Sequence, residues 1–331
     1  MTDLDLQEIA DRRAWGLESP GLALALGGVH SVEQLDRHHA WVDLAEQIGL
    51  HSVWLPEMHF APGVCPAPLV ELAGFAARTE RLRLGTTSLL LPLHPAEEVA
   101  AEIAALDRLS KGRLLVGLGR GFQKKMLEAF GVDPATKRDR FDESLETMLE
   151  LWAASNADGG ALTTDQQPHP PLAVAAFGPK GLAQAARHGL PHLASPVESS
   201  DQIEENQKRH RSLTPEGKPR PLSLVMRTVF VSESEADCDA VRTGLEGETN
   251  QRRGPRLPAA ISRAMDTPLD ERAVIGPIAD VTDRLVRERE RLGIDLLIVR
   301  PTLARIAEPT LEASLRALAS EVWPEVVRRT T

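Results

Sequence analysis

The chain has 331 residues, and its 42% hydrophobic and 26% charged content is typical of a water-soluble globular protein. A formal net charge of -10 repels a phosphate-rich polymer, which argues against a nucleic-acid partner. Because the sequence has no apolar run of about 18 residues and its N-terminal stretch has no apolar core, we expect neither a membrane span nor a secretory signal.

Short leucine-rich or β-branched runs alternate along the chain with longer segments that have an apolar period of 3.6 residues. In the first half, strands are predicted at 22–26, 51–57, 82–91 and 113–118, and helices at 31–49, 66–79, 96–109, 122–130 and 138–153. In the second half, strands are predicted at 172–176, 192–195, 222–231 and 295–300, and helices at 180–188, 199–211, 235–245, 279–292 and 309–322.

This alternation predicts an α/β fold with parallel strands, because right-handed crossovers return each strand to the same sheet. Eight such units favour a single (β/α)8 barrel of the TIM type over an open sheet. No change in composition marks a domain boundary, so residues 1–331 are expected to form one domain, with residues 1–18 as an N-terminal extension. Residues 246–272 have little periodicity, and we expect a mobile lid or rim insertion there, after the seventh strand.

The fourth predicted strand ends in GLGRGF, which places Arg120 between two glycines. The glycines resemble a dinucleotide fingerprint, but the third comes one position early and the strand is not the first of the chain, so that site is disfavoured. A tight turn at the barrel rim is one interpretation. The other is a phosphate site, since the carboxyl ends of barrel strands carry the active site and a guanidinium binds phosphate well.

Two further strand ends carry candidate residues. The turn FGPKG places the amides of Gly178 and Gly181 at a helix N-terminus, which favours an anion, although a plain turn is equally open. The stretch PEMHF places Glu57 and His59 just past the second strand, on the expected functional rim. A histidine at such a place has either a structural or a functional role.

Several other chemistries lack their motifs. There is no HExxH and no GxSxG sequence, and no pair of carboxylates stands out as in a glycosidase, so we expect neither a metal site nor a hydrolase. The two cysteines, Cys65 and Cys238, form no CxxC pair, which predicts a reducing compartment and hence the cytoplasm.

From about residue 20 to the C-terminus, the chain resembles the bacterial-luciferase-like family of flavin-dependent monooxygenases. The segments that carry the resemblance include LPEMHFAPG, the run from LGTTSLLLPLHP to GRLLVGLGRGF, AFGVDPATKRDRFDESLETMLELW and VIGPIADVTDRLVRERERLGID. The resemblance implies a (β/α)8 barrel, often a homodimer, that receives reduced FMN from a separate flavin reductase. It implies that a small organic substrate is oxygenated by O2 through a flavin 4a-hydroperoxide.

The resemblance also implies roles for particular residues. Arg120 would contact the flavin phosphate, with the region of Gly178 and Pro179 opposite and with Phe122 beside the phosphate. Family members often have a non-prolyl cis peptide at the position of Thr87 and Ser88. The cofactor is thereby assigned to six positions, which are Thr87, Ser88, Arg120, Phe122, Gly178 and Pro179.

Two departures from the luciferase pattern bear on function. Luciferases have two adjacent histidines after the glutamate, but the first position here is Met58, whose thioether cannot transfer protons. His59 and Glu57 therefore remain as the catalytic candidates. Gly119 stands where luciferases have a cysteine, and we expect it to leave extra room beside the flavin for a bulkier substrate.

Two other functions remain open. Deazaflavin-dependent members usually have an aspartate–histidine pair where this chain has Met58 and His59, and they tend not to end the fourth strand in GRG, so FMN is favoured over a deazaflavin. Met58 is also compatible with a non-catalytic flavin-binding or partner subunit of a luciferase-like complex.

Overall fold

The structure is a computed structural model that describes residues 3–28, 31–60, 64–252, 259–300 and 306–331. The strands found there are β1 (Gly21–Ala25), β2 (Ser52–Leu55), β3 (Arg83–Leu90), β4 (Leu114–Gly119), β5 (Leu172–Ala175), β6 (His192–Ala194), β7 (Leu224–Val231), β8 (Ala273–Gly276) and β9 (Leu296–Val299). The helices are α1 (Asp3–Ala14), α2 (Val32–Gln47), α3 (Pro68–Arg78), α4 (Ala96–Leu109), α5 (Lys124–Ala129), α6 (Lys137–Asp158), α7 (Pro179–Arg187), α8 (Ser200–Leu213), α9 (Glu235–Arg252), α10 (Ala259–Asp266), α11 (Ile278–Leu292), α12 (Glu308–Ala317) and α13 (Trp323–Thr330).

The sheet has the strand order β6-β5-β4-β3-β2-β1-β9-β7-β8, and β6 also pairs with β7. This connectivity joins eight strands in a ring, with β8 as an additional strand beside β7, and it confirms the predicted (β/α)8 barrel. The eight strands of the ring are those predicted from the sequence. Their side chains are almost all buried, as expected for parallel strands that are covered on both faces.

The chain divides into two compact units. The β2–β5 unit comprises Gly27–Gln47 and Ser52–Ala175, and the β6–β9 unit comprises Met1–Leu26, Ile48–His51 and Ala176–Thr331. Within the β2–β5 unit, β3 pairs in parallel with β2 and β4, and β4 pairs with β5. Within the β6–β9 unit, β7 pairs in parallel with β6, β8 and β9, and β9 pairs with β1.

The register between β3 and β4 shifts at one place that matters for the site. Thr87 lies opposite Gly117, and the next paired residue, Leu89, lies opposite Leu118. Ser88 is therefore an extra residue in β3, as in a β-bulge, and such an irregularity re-aims side chains where it occurs. It stands near the carboxyl end of the strand.

Several elements differ from the sequence predictions. Helix α10 lies within the stretch 246–272 that was predicted to be aperiodic, and helix α13 was not predicted. Helix α9 continues to residue 252, beyond its predicted end at 245. Thr249 is buried on the same face as Leu245 and donates its hydroxyl hydrogen to the Leu245 carbonyl, and a polar residue at that place hid the periodicity. Strand β8 was not predicted from the sequence. The predicted N-terminal extension contains α1. Part of the predicted mobile loop, residues 253–258, lies outside the described residues, and the mobility of 246–272 stays a prediction.

Candidate functional site

The candidate residues of the β2–β5 unit follow three neighbouring strands at their carboxyl ends. Glu57 and His59 follow β2, Thr87 and Ser88 lie near the end of β3, and Arg120 follows β4. The backbone N–H of Glu57 donates to the carbonyl of Ser88 at 3.1 Å, so the ends of β2 and β3 are directly joined. This is the end of the strands at which barrel enzymes carry their active sites.

Glu57 is the centre of a hydrogen-bonded cluster, and its side chain is fully buried. Its Oε2 accepts the backbone N–H of Leu90 at 2.6 Å. Its Oε1 is bonded to Nε2 of His59 at 2.7 Å and to Nε2 of His94 at 2.9 Å. The two imidazoles are less buried, with 11% of the His59 side chain and 28% of the His94 side chain exposed.

The electrostatics of this cluster keep Glu57 ionised. Burial alone would raise the pKa of its carboxyl, but the hydrogen bond and charge of His94, the Leu90 amide and the bond with His59 together hold that pKa below its usual value. Burial alone would lower the pKa of His94, but the hydrogen bond and charge of Glu57 raise it. An ionised carboxylate only accepts hydrogen bonds, so both Nε2 atoms donate and the Nδ1 atoms are left for other partners.

His94 was not among the residues predicted from the sequence. It follows the short 3₁₀ turn Leu91–Leu93, which directly continues β3. Its place just past a strand end, in the motif LPLHP, is the same kind of signal that selected His59. The sequence did not show that the turn would direct its ring back to Glu57.

The segment at the end of β3 has the backbone expected from the resemblance, since the peptide bond between Thr87 and Ser88 is cis. Both side chains are half-buried, whereas Thr86 and Leu89 on either side are buried. Gly119 packs directly against this segment, because a Cβ atom there would lie 2.0 Å from Oγ of Ser88. The expectation that Gly119 leaves extra room is therefore wrong: the Ser88 hydroxyl occupies that space.

Arg120 is half-buried, and its surroundings suit an anion. Its Nη2 donates to the carbonyl of Ala175 at 3.0 Å, and its guanidinium carbon lies 6.0 Å from the ring centre of Phe141. Burial and, to a smaller extent, the positive charge of Arg138 lower the pKa of Arg120 to about 10, while the carboxylate of Asp142 opposes the shift. A guanidinium in this setting remains charged at neutral pH, and the donor set fits a phosphate group.

The side chains beside His59 are aromatic, and the next residue in the chain, Met58, has a thioether. Its ring centre lies 4.6 Å from that of Phe130 and 5.9 Å from that of Phe60, whose side chain is 73% exposed. Met58 accepts a weak hydrogen bond at its sulfur from Nε2 of Gln123, at 3.8 Å. The predicted cofactor residue Phe122 is half-buried in the loop between β4 and α5. None of the phenylalanine, methionine and glutamine side chains around His59 exchanges protons.

The two remaining cofactor candidates belong to the β6–β9 unit. Gly178 is the N-cap of α7 with an extended backbone (φ −159°, ψ 173°), and Pro179 is the first residue of the helix. The N–H of Gly181 donates to the Gly178 carbonyl at 2.9 Å. The expectation that the Gly181 amide is available to an anion is therefore wrong, because the first turn of the helix uses it.

The described residues contain neither a cluster of metal ligands nor a membrane-spanning helix. Within those residues, no three or more His, Cys, Asp or Glu side chains are arranged to hold a metal ion. In the same ranges, every helix is too short or too polar to cross a membrane.

Comparison with known proteins identifies the family. A family model described as luciferase-like monooxygenase matches residues 20–296. The chain therefore belongs to the luciferase-like monooxygenase family, a family of oxidoreductase enzymes, and the resemblance seen in the sequence is confirmed.

Two curated relatives illustrate the range of the family. The chain is 33% identical over 159 residues to an uncharacterized protein of Sinorhizobium fredii (44% of this chain, 46% of the relative). It is 29% identical over 210 residues to the oxygenase component of a flavin-dependent trigonelline monooxygenase of Acinetobacter baylyi (59% of this chain, 58% of the relative). The matched part of this chain thus spans about half the length of these two relatives.

Solved structures share the fold at low identity. The monooxygenase RslO1 from Streptomyces bottropensis matches with a TM-score of 0.76 and 24% identity, covering 92% of this chain and 99% of that one. A second match is the oxygenating constituent of 3,6-diketocamphane monooxygenase from Pseudomonas putida, in complex with FMN. Its TM-score is 0.77 and its identity 17%, and the match covers 93% of this chain and 98% of that one. An F420-dependent secondary alcohol dehydrogenase matches with a TM-score of 0.67 and 17% identity, covering 93% of this chain and 99% of that one. The fold alone therefore does not select the cofactor.

Proposed function

We propose that the protein is a flavin-dependent monooxygenase that uses reduced FMN and O2 to oxygenate a small organic substrate. The observation that carries this proposal is that the Glu57–His59 pair, the Thr87–Ser88 segment and Arg120 lie at the carboxyl ends of the neighbouring strands β2, β3 and β4. Membership of the luciferase-like monooxygenase family and the FMN complex of a structural neighbour support it.

The proposal assigns the cofactor to the residues predicted from the sequence. Arg120 would bind the phosphate, with Phe122 beside it, and the Thr87–Ser88 segment would lie along the isoalloxazine ring. Gly178 and Pro179 remain proposed cofactor contacts on the grounds of the resemblance. When bound, the reduced flavin would supply the oxygen chemistry, through the 4a-hydroperoxide named above.

His59 and Glu57 are the proposed catalytic pair. Because Glu57 accepts the Nε2 hydrogen of His59, it fixes the ring orientation and the tautomer, so that Nδ1 is the atom able to accept a hydrogen bond or a proton. A carboxylate that orients an imidazole in this way also stabilises the imidazolium that forms when the ring takes a proton. Phe60 and Phe130 beside the ring reduce the access of water.

The proposal includes partners and a location. A separate flavin reductase is proposed because the trigonelline relative is named as an oxygenase component. A homodimer is proposed from the resemblance and would be tested by light scattering. A cytoplasmic location remains proposed, and it is supported by the fact that both cysteines are free and buried.

The experiment has a binding part and a reaction part. The purified protein is titrated separately with FMN and with F420, oxidised and reduced, and fluorescence or calorimetry gives each dissociation constant. The complex with chemically reduced FMN is then mixed with O2 while the absorbance of the flavin 4a adduct is followed, with free reduced FMN as the control. We expect tighter binding of FMN than of F420 and a transient adduct that outlasts the oxidation of free reduced FMN.

Three results would contradict the proposal. Preferential binding of F420 would favour the deazaflavin-dependent oxidoreductase. Oxidation of bound reduced FMN at the rate of the free cofactor, together with stable association with a second luciferase-like chain, would favour the non-catalytic partner subunit. Failure to bind either cofactor would mean that the proposed site does not bind a flavin or a deazaflavin.

A further inference from the structure

One carboxylate oxygen of Glu57 is shared by two histidines. Its Oε1 accepts from Nε2 of His59 at 2.7 Å and from Nε2 of His94 at 2.9 Å, whereas Oε2 is occupied by the backbone N–H of Leu90. The Glu57 side chain is fully buried, so little water screens its charge from the two rings. A change of charge on His94 is therefore felt by His59 through the oxygen that both rings contact.

The groups around Glu57 differ in their effect on it. Against the effect of burial, the hydrogen bond and the charge of His94 are the largest influences that lower the pKa of the Glu57 carboxyl, and the bond with His59 is a smaller one. Cys65 is a further titratable group within reach of the Glu57 charge. Burial and the charge of Glu71 raise the pKa of the Cys65 thiol, so it stays neutral. His94 is thus the main partner of this carboxylate.

Carboxylates on α4 also act on His94. Burial lowers the pKa of this imidazole, but the hydrogen bond and charge of Glu57 and the charges of Glu102 and Glu98 raise it. Glu98 and Glu102 are exposed and lie one turn apart on the helix. The His94 side chain is 28% exposed, against 11% for His59, so it is also the ring with better access to solvent protons. A proton that joins the cluster is therefore expected at His94 first.

We propose that His94 is a positioning residue that acts on His59 through their shared carboxylate: neutral His94 leaves the charge of Glu57 to His59, and protonated His94 takes that charge for itself. One carboxylate offsets one imidazolium, and a second positive charge at the same oxygen is repelled by the first. Near neutral pH the cluster then holds one extra proton and not two. The inference deepens the proposed function, on which it rests for the role of His59 as the proton acceptor.

Two substitutions hold position 94 in one charge state. His94→Gln keeps an N–H donor for Glu57 without a charge, and His94→Lys keeps a positive charge over the whole pH range used. His59→Gln is the reciprocal variant, because the coupling between two binding sites has the same size in both directions. His39→Gln is the matched control, since the ring of His39 packs against Phe75 instead. Circular dichroism checks that each variant is folded.

The first measurement is a pH titration of the ring ¹⁵N resonances in cofactor-free protein labelled with ¹⁵N-histidine. We expect the two rings to protonate in two steps at least about one pH unit apart, as strongly interacting groups do. When glutamine replaces the ring that protonates first, the other ring should bind its proton about tenfold more tightly. His94→Lys should give no such gain, and His39→Gln should leave both steps unchanged.

The second measurement connects this coupling to the proposed reaction. The lifetime of the flavin 4a adduct is followed from pH 6 to pH 9 in the unaltered protein and in the variants. In His94→Gln its pH profile should move by about one pH unit, which corresponds to the tenfold change expected at the ring. In His39→Gln the profile should stay in place. A residue that only supports the fold would lower the amount of adduct without moving the profile.

Independent titration of the two rings in the unaltered protein would overturn the inference, and that result does not depend on any variant being folded. An equal change in His39→Gln would also overturn it, as would an adduct profile that His94→Gln leaves in place. If the rings are coupled as expected but FMN does not bind in either redox state, the coupling of His94 to His59 is supported and the proposed function fails.

Discussion

Two arginines at opposite ends of β4 have very different surroundings. Arg113 directly precedes the strand and is only 9% exposed. Its guanidinium donates to the carbonyls of Ser110, Leu82 and Ala76 and to the hydroxyl of Thr79, at 2.6–3.0 Å. Arg120 directly follows the strand, donates to the carbonyl of Ala175 and lies within the influence of other cations.

Under the proposed function, the difference places a stabilising residue at one end of β4 and a cofactor-binding residue at the other. The acceptors of Arg113 are neutral atoms of the protein, held in place by the surrounding helices and strands, so this side chain completes the fold at the amino end of β4. Arg120 stands at the carboxyl end, where the positive charge of Arg138 and the carboxylate of Asp142 both act on it. This agrees with the rule that barrel enzymes keep stabilising residues at one end and reactive residues at the other.

The largest expected effect comes from Arg113→Ala. The substitution leaves three buried carbonyl groups without their donor, so we expect the free energy of unfolding to fall by about 3 kcal/mol or more. Urea denaturation measures it, and Arg81→Ala, at a site that is 71% exposed, is the control with an expected change of about 0.5 kcal/mol or less. If the Arg113→Ala protein is as stable as the unaltered protein, Arg113 does not stabilise the fold at the amino end of β4.

Arg120→Ala should have the reverse profile. We expect the affinity for FMN to fall about tenfold or more, since a charge-assisted hydrogen bond of about 1.5–3 kcal/mol is lost. The midpoint of urea unfolding should move much less than in Arg113→Ala. Fluorescence titration measures the affinity, with Arg120→Lys as a variant that keeps the charge without the planar fork. Unchanged FMN binding in Arg120→Ala would exclude this residue from the cofactor site.

Gly119→Ala tests whether the end of β4 has spare room. The new Cβ atom would lie 2.0 Å from Oγ of Ser88, so we expect the two segments to separate and the protein to lose about 1–3 kcal/mol of stability, as in other overpacked sites. The double variant with Ser88→Gly removes the clash and should recover part of the loss. A fully stable Gly119→Ala protein with unchanged FMN affinity would support the original expectation of extra space.

The smallest expected effect concerns the pH dependence of His94. Its pKa is raised in the folded protein above the usual value of 6.5, so its ionic contribution is fully present below about pH 6.5 and is lost as the pH rises through the raised pKa. His94→Gln keeps a donor for Glu57 but does not titrate. Thermal unfolding should show the largest deficit of this variant at pH 5.5–6 and a smaller one at about pH 8.5. A deficit independent of pH would mean that His94 contributes no charge.

The fold and part of the site could be predicted from the sequence because their signals are local. Apolar runs specified the strands of the barrel, and a glycine–arginine–glycine turn at a strand end specified Arg120. Other residues depend on contacts between segments that are distant in the sequence. The bond from Lys137 to Gly121 needs the first turn of α6 to return to β4, and the bond from His94 to Glu57 needs the 3₁₀ turn after β3 to bend towards β2.

Glu57 has a consequence for how sequences in this family can diverge. Its backbone N–H donates to the carbonyl of Ser88, and its carboxylate accepts the N–H of Leu90. Glu57 therefore holds the β3 backbone on both sides of Leu89. A shorter side chain at residue 57 would release the amide of residue 90 and both imidazoles together. Substitution of Glu57 should therefore be tolerated only when its hydrogen-bond partners change as well. A relative with a different residue at this position is expected to have a different chemistry at the site.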